Sequence, residues 1–150
     1  MPIYGDDTRI EDSWVICSIR VAYADTDMMG HVYYGNYLVY FENARSEWMR
    51  KLGMTYRSFE ELEYVVPVVE AHVRYKGRIF YDDLIEVRTA VRLKGSTRTE
   101  FHYSINRVGE KKILAEGRTV HCVINMKTGK PCRVPAPLKD LVEKLPPFTP

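Results

Sequence analysis

Asn36-Tyr-Leu-Val-Tyr-Phe-Glu-Asn-Ala-Arg-Ser-Glu-Trp-Met-Arg-Lys-Leu-Gly53 reads as one long, mostly buried helix. Tyr37, Phe41, Ala44, Trp48 and Leu52 recur at helical spacing. Asn36 is placed as the N-cap and Gly53 at the residue just past the end. Glu42, Arg45, Ser46 and Arg50 form the expected polar stripe, and Glu47 stands four residues before Lys51, which suits an exposed face.

Outward from the helix the period changes to two. Upstream, Ile19, Val21 and Tyr23 alternate with Ser18 and Arg20. Downstream, Val69, Ala71, Val73 and Tyr75 alternate with Glu70, His72, Arg74 and Lys76. Two further runs alternate in the same way, from Ile85 to Lys94 and from Thr99 to Asn106. A last run, Ile113 to Ile124, is β-rich, and Gly117 within it predicts a bulge or a close backbone approach. Gly95-Ser96 and Val108-Gly109-Glu110 are short connectors, so the later strands should be antiparallel neighbours. Strand, helix, then four strands predicts an α+β fold: an antiparallel sheet of about five strands around one central helix. The expected organisation is a single domain over residues 1–150, with its core at about 14–124 and a C-terminal extension at 125–150. A short helix is expected at Leu138–Leu145. Long edge strands would be left bare unless a second subunit covers them, which predicts a homodimer or homotetramer.

Composition narrows the function. A formal charge of +2 supplies no basic stripe, which argues against nucleic acid or an anionic membrane as partner. No apolar run approaches a membrane span and the N-terminus lacks a signal-peptide layout, so a cytoplasmic protein is expected. Cys17, Cys122 and Cys132 lack metal-ligand spacing, and His72, His102 and His121 stand singly on strands. No metal and no cofactor is therefore expected.

The chemistry gathers just ahead of the helix, in Tyr23-Ala-Asp25-Thr-Asp27-Met-Met-Gly30-His31-Val-Tyr-Tyr34-Gly-Asn36-Tyr37. A carboxylate placed before a helix N-terminus lies beside free backbone N–H groups. One group can attack or activate water while the other holds an oxyanion, as hydrolysis of an acyl bond requires. The plainer alternative makes Asp25 and Asp27 turn residues that satisfy local donors.

This order of elements resembles the hotdog-fold acyl-CoA thioesterases of the 4-hydroxybenzoyl-CoA thioesterase family, and within it the bacterial branch that includes the Tol–Pal-associated enzymes. The likeness rests on the Tyr23–Tyr37 motif, on Phe41-Glu42-Asn-Ala44-Arg45-Ser-Glu47, and on Val73-Arg-Tyr75-Lys-Gly-Arg-Ile-Phe-Tyr81-Asp82-Asp83. It implies an acyl-CoA substrate, with acyl carrier protein as the alternative carrier. By resemblance, Asp27 is the catalytic carboxylate, acting as nucleophile or general base, and the backbone N–H of Tyr34 is the oxyanion donor. His31 takes a supporting role and Asp25 a structural one; Glu42 and Glu47 are also expected to be structural, facing a nearby basic residue or solvent. Lys94, Ser96, Thr97 and Arg98 fall where the family binds the nucleotide end of CoA, with Lys76 and Arg78 as weaker candidates. Two other readings compete: a non-catalytic acyl-CoA-binding protein, and a hotdog hydratase or dehydratase. Thiol release, enone formation and simple binding separate the three.

Overall fold

The computed structural model describes residues 7–150 together with the short strand Ile3–Tyr4. Its elements in chain order are β1 (Ile3–Tyr4), β2 (Arg9–Glu11), β3 (Trp14–Arg20), a 3-10 turn (Tyr23–Asp25), α1 (Asn36–Lys51), α2 (Tyr56–Glu61), β4 (Tyr64–Val65), β5 (Val68–Tyr75), β6 (Leu84–Lys94), β7 (Arg98–Arg107), β8 (Ala115–Asn125), β9 (Lys130–Cys132) and α3 (Ala136–Glu143). The five long strands lie side by side as β5–β8–β7–β6–β3, all antiparallel. The sheet has nine strands among the described residues rather than about five. The extra four are two or three residues long, too short to show a period in sequence.

The two edges differ. β1 and β2 cover the outer side of β3. The outer side of β5 pairs with no strand among the described residues, and seven of its eight residues are exposed. No helix among those residues is long and apolar enough to cross a membrane.

Helix α1 lies against the sheet, nearest β3 and β6, and buries Tyr37, Tyr40, Phe41, Ala44, Trp48 and Met49, each 3% exposed or less. A fully buried side chain of this size contributes about 1.5–3 kcal/mol in transfer terms. Phe41 stacks on Tyr103 with ring centroids 4.3 Å apart, directly over Gly117. A Cβ at Gly117 would meet Phe41 at 2.3 Å and the His72 carbonyl at 2.8 Å, so the glycine marks a close approach. The sheet's bulge lies elsewhere, between Val68 and Glu70. The helix ends as expected: Gly53 adopts φ +101°, its N–H reaches Arg50 and that of Met54 reaches Met49, closing a Schellman motif. Its start is shifted by one, with Gly35 as the N-cap, because the Asn36 side chain is committed to the Asp25 carbonyl at 2.9 Å.

Arg45 departs from the expected polar stripe: it is buried. It donates to the hydroxyls of Tyr56 at 2.7 Å and Tyr103 at 3.0 Å. From there Tyr103 bonds Thr119 at 2.7 Å, Thr119 bonds the Nε2 of His121 at 2.8 Å, and Nδ1 of His121 lies 3.2 Å from the Val66 carbonyl. Hydroxyl partners make a buried guanidinium tolerable without a carboxylate. Burial first, and the Arg45 charge second, push His121 down to about 4, so the imidazole stays neutral. Glu47 pairs with Arg50 and not with Lys51, and Glu42 is exposed.

The C-terminal extension docks on the domain. Leu138 and Leu141 of α3 enter the core, and Phe148 lies edge-on to Trp14 at 5.0 Å.

Candidate active site

The loop between the 3-10 turn and α1 is built by its own polar groups. The Asp27 carbonyl accepts the Gly30 N–H at 3.0 Å, the Asp27 N–H donates to the His31 carbonyl at 2.9 Å, and Gly30 takes φ +84°, a conformation that favours glycine. Oδ1 of Asp27 accepts the Met29 N–H at 2.8 Å, an Asx turn. That leaves Oδ2, with Nδ1 of His31 at 3.8 Å as its neighbour. The side chains of Asp27 and His31 are 28% and 23% exposed, which places them at a rim rather than in the interior.

They line a cleft of about 490 Å³ together with Met29, Val32, Tyr34, Tyr37, Tyr75, Gly77 and Arg78. Among the described residues, the N–H groups of Tyr34 and Gly35 donate to no acceptor. They precede the helix ladder, where unpaired donors are expected. The cleft therefore combines an ionisable carboxylate with an open oxygen, Tyr34 with its free N–H at a helix start, and an imidazole. Such a set can deprotonate water or attack a carbonyl while holding the oxygen that becomes negative.

Asp25 stands two residues away and does different work. Its Oδ2 accepts the Ala22 N–H at 3.2 Å and the Tyr40 hydroxyl at 2.9 Å, and its carbonyl accepts from Tyr33 and Asn36, both at 2.9 Å. Burial, and then Asp25, raise the Tyr40 phenol, which stays a donor.

Lys94, Ser96, Thr97 and Arg98 lie at the other end of the sheet. In register, Tyr75 faces Ala115 and Ala115 faces Ile105, whereas Arg98 begins β7. Seven residues of strand, roughly 24 Å, separate the two levels. Lys94 pairs with the buried Glu100 at 3.4 Å and Arg98 with Glu70 at 3.9 Å. Beside the hairpin lies a recess of about 310 Å³, where Arg133 and Lys139 join Gly95 and Ser96. Of the weaker candidates, Lys76 is tied to Glu116 at 2.8 Å. Arg78 lines the cleft, with no carboxylate in ion-pair distance among the described residues.

A larger cleft, about 550 Å³, lies on the sheet face turned away from α1, among His72, Arg74, His102, Arg118 and Phe148. It is remote from the Asp27 loop. No group of three or more His, Cys, Asp or Glu side chains among the described residues could hold a metal ion.

Residues 21–145, which run from the end of β3 through α3, match the thioesterase-like superfamily. The chain belongs to this superfamily. A protein of Aquifex aeolicus (strain VF5), provisionally named an esterase, is 34% identical over 84% of this chain and 93% of its own. The acyl-CoA thioesterase YbgC of Haemophilus influenzae is 40% identical over 53% of this chain and 60% of its own. Among solved structures, the DHNA-CoA thioesterase of Staphylococcus aureus superimposes with a TM-score of 0.78 at 34% identity, covering 87% of each chain. The hotdog fold implied by the motif is the fold observed.

Membership in the superfamily gives the cleft its context, and the geometry adds to the motif. Sequence reasoning brought Asp27, His31 and Tyr34 together and offered Tyr33, Tyr37 or Tyr40 as a pocket wall, of which Tyr37 lines the cleft, but it gave Tyr75 no place there. The signal for Tyr75 was present: it ends an alternating strand immediately before Lys76-Gly77, where the chain turns back.

Proposed function

We propose that the protein hydrolyses acyl-CoA thioesters, with Asp27 as the carboxylate and the N–H of Tyr34 as oxyanion donor. The observation that carries this is the open Oδ2 of Asp27 in the same cleft as Tyr34, whose helix-start N–H has no acceptor among the described residues. Oδ2 either takes a proton from water, which then attacks the thioester carbonyl, or attacks that carbon itself to give a mixed anhydride that water cleaves. In both routes the carbonyl oxygen becomes negative against the N–H of Tyr34. The C–S bond then breaks and CoA leaves as a thiolate, which needs no strong general acid.

The bare edge of β5 supports a dimer in which β5 pairs antiparallel with its copy about a twofold axis. Exposed Met28, Met29, Tyr34 and Tyr75 around the cleft add apolar surface for such a partner to cover. The pairing exchanges strand ends, so the Lys94–Arg98 hairpin of the second copy would come to the level of Tyr75, its Arg98 three strand spacings or roughly 14 Å across. In that arrangement Lys94, Ser96, Thr97 and Arg98, with Arg133 and Lys139 beside them, meet the CoA phosphates of the neighbouring cleft. Light scattering should give a multiple of the single-chain mass; a monomer at micromolar concentration would remove this arrangement.

The test of the activity is thiol release from a panel running from acetyl- to palmitoyl-CoA, with benzoyl-, 4-hydroxybenzoyl- and 1,4-dihydroxy-2-naphthoyl-CoA included. The last belongs there because a 34%-identical relative is named for it and three tyrosines line the cleft. Turnover lost in Asp27→Asn with folding intact supports the proposal. Binding without turnover across the panel, for CoA and acyl carrier protein esters alike, would leave a binding protein.

A further inference from the structure

Beyond the carboxylate and the helix-start donors, one phenol holds the donor peptides in place. We propose that Tyr75 is a positioning residue for the oxyanion site: its hydroxyl clamps the Tyr34–Gly35 peptide. This rests on the reading of Asp27 and Tyr34 given above.

The Tyr75 hydroxyl donates to the Tyr34 carbonyl at 2.8 Å, across 41 residues of sequence. That carbonyl precedes the N-cap Gly35, so it lies outside the i to i+4 ladder of α1. Its other partner is the Tyr37 N–H at 3.4 Å, a long contact. The phenol is therefore the strong restraint on this peptide. In a trans peptide the C=O and N–H point in opposite directions. A clamp on the Tyr34 oxygen thus aims the Gly35 N–H and limits rotation about the Tyr34 Cα, which carries the Tyr34 N–H one bond away. Hydrogen bonding at the oxygen also polarises the peptide and strengthens its N–H as a donor.

Tyr75 is itself well held. Its ring meets Tyr37 edge-on at 4.8 Å and 89°. The next two residues, Lys76 and Gly77, both donate to the Leu114 carbonyl, at 2.9 and 3.0 Å. A Cβ on Gly77 would come within 2.8 Å of the Leu114 side chain, so the turn that delivers Tyr75 packs tightly there. Burial, and then the Tyr34 phenol, raise the Tyr75 pKa above its ordinary value, which keeps the hydroxyl a donor at neutral pH. Tyr75 is also the last residue of the bare edge strand.

Tyr75→Phe keeps the ring and removes only the hydroxyl. Two readouts are taken together on the full chain. The first is the amide spectrum of protein labelled with 15N-glycine, whose nine glycines include Gly35 at the clamp. The Gly35 resonance should move, while Gly95, Gly109 and Gly129, in remote turns, stay in place. The second is steady-state kinetics on the best acyl-CoA of the panel. A lost hydrogen bond of ordinary strength predicts a fall in kcat of about fivefold to tenfold, with KM unchanged and the melting temperature lower by at most about 4 °C. An unmoved Gly35 amide overturns the proposal whatever the rate does, and so does a moved amide with full kcat. If the wild-type protein turns over no acyl-CoA, the thioesterase reading falls while the Gly35 amide still decides whether Tyr75 holds the peptide.

Discussion

Asp25 and Asp27 are two residues apart in one loop, yet the structure gives them opposite assignments. Asp25 is enclosed by partners: two donors on its Oδ2 and two on its carbonyl. Asp27 spends Oδ1 on one turn-closing N–H and leaves Oδ2 facing the cleft. The difference teaches how to read a carboxylate pair. A carboxylate bonded to residues elsewhere in the fold holds the chain, and one bonded only within its own turn, beside unpaired donors, is available for chemistry. The four bonds on Asp25 are what keep Tyr33, Asn36 and Tyr40 arranged so that the N–H of Tyr34 stays free.

The comparison can be broken most decisively at Asp27. Asp27→Asn should lower kcat by about a thousandfold or more, with the melting temperature within a degree or two of wild type; a large loss of stability would contradict the division of labour. Acid unfolding separates the cleft from the interior. His121 is held neutral, its folded pKa of about 4 lying below the ordinary 6.5, so the unfolded chain takes up the proton first as pH falls. Its contribution is complete above about pH 6.5 and is lost on the way down to about 4, at about 3 kcal/mol. Chemical denaturation at pH 7.5, 5.5 and 4.5 measures this, and a flat profile would place that imidazole outside the buried chain. Rate changes above pH 6.5 then belong to the cleft. Asp25→Ala should cost about 2–3 kcal/mol, because it orphans the Tyr40 hydroxyl, seen as a melting temperature lower by about 5–10 °C. The smallest effect is expected at His31→Ala. Its ring nitrogen lies 3.8 Å from Asp27 rather than in bonding contact, so kcat should fall only a few-fold, and a loss as large as that of Asp27→Asn would make His31 a full partner in the reaction.

Much of the fold was legible because its periods are long. The spacing of Tyr37, Phe41, Ala44, Trp48 and Leu52 gave α1, and the alternating runs gave β5, β6 and β7 to within a residue or two. What escaped was decided across space. Tyr23 continues an alternation by type yet belongs to the 3-10 turn, since β3 ends at Arg20. Arg45 was assigned to the surface by its charge, although it stands four residues from both Phe41 and Met49 on the buried row. Only the hydroxyls of Tyr56 and Tyr103, distant in sequence, make that burial possible. α2 and the short strands have too few residues for a period. In the site, the Asp27 loop was local and readable. The end of β5 at Tyr75 was legible too, but that it returns past the helix start to form a wall with Arg78 is decided across space.

The three thiols carry a practical consequence. Cys17 is buried on β3, where burial above all pushes its thiol up to about 12, while Cys122 and Cys132 are half-buried. A disulfide reagent that counts released CoA will therefore also count cysteines. The native chain presents two half-buried sulfhydryls and an opened chain three, so the blank reaction of every variant doubles as a gauge of its folding.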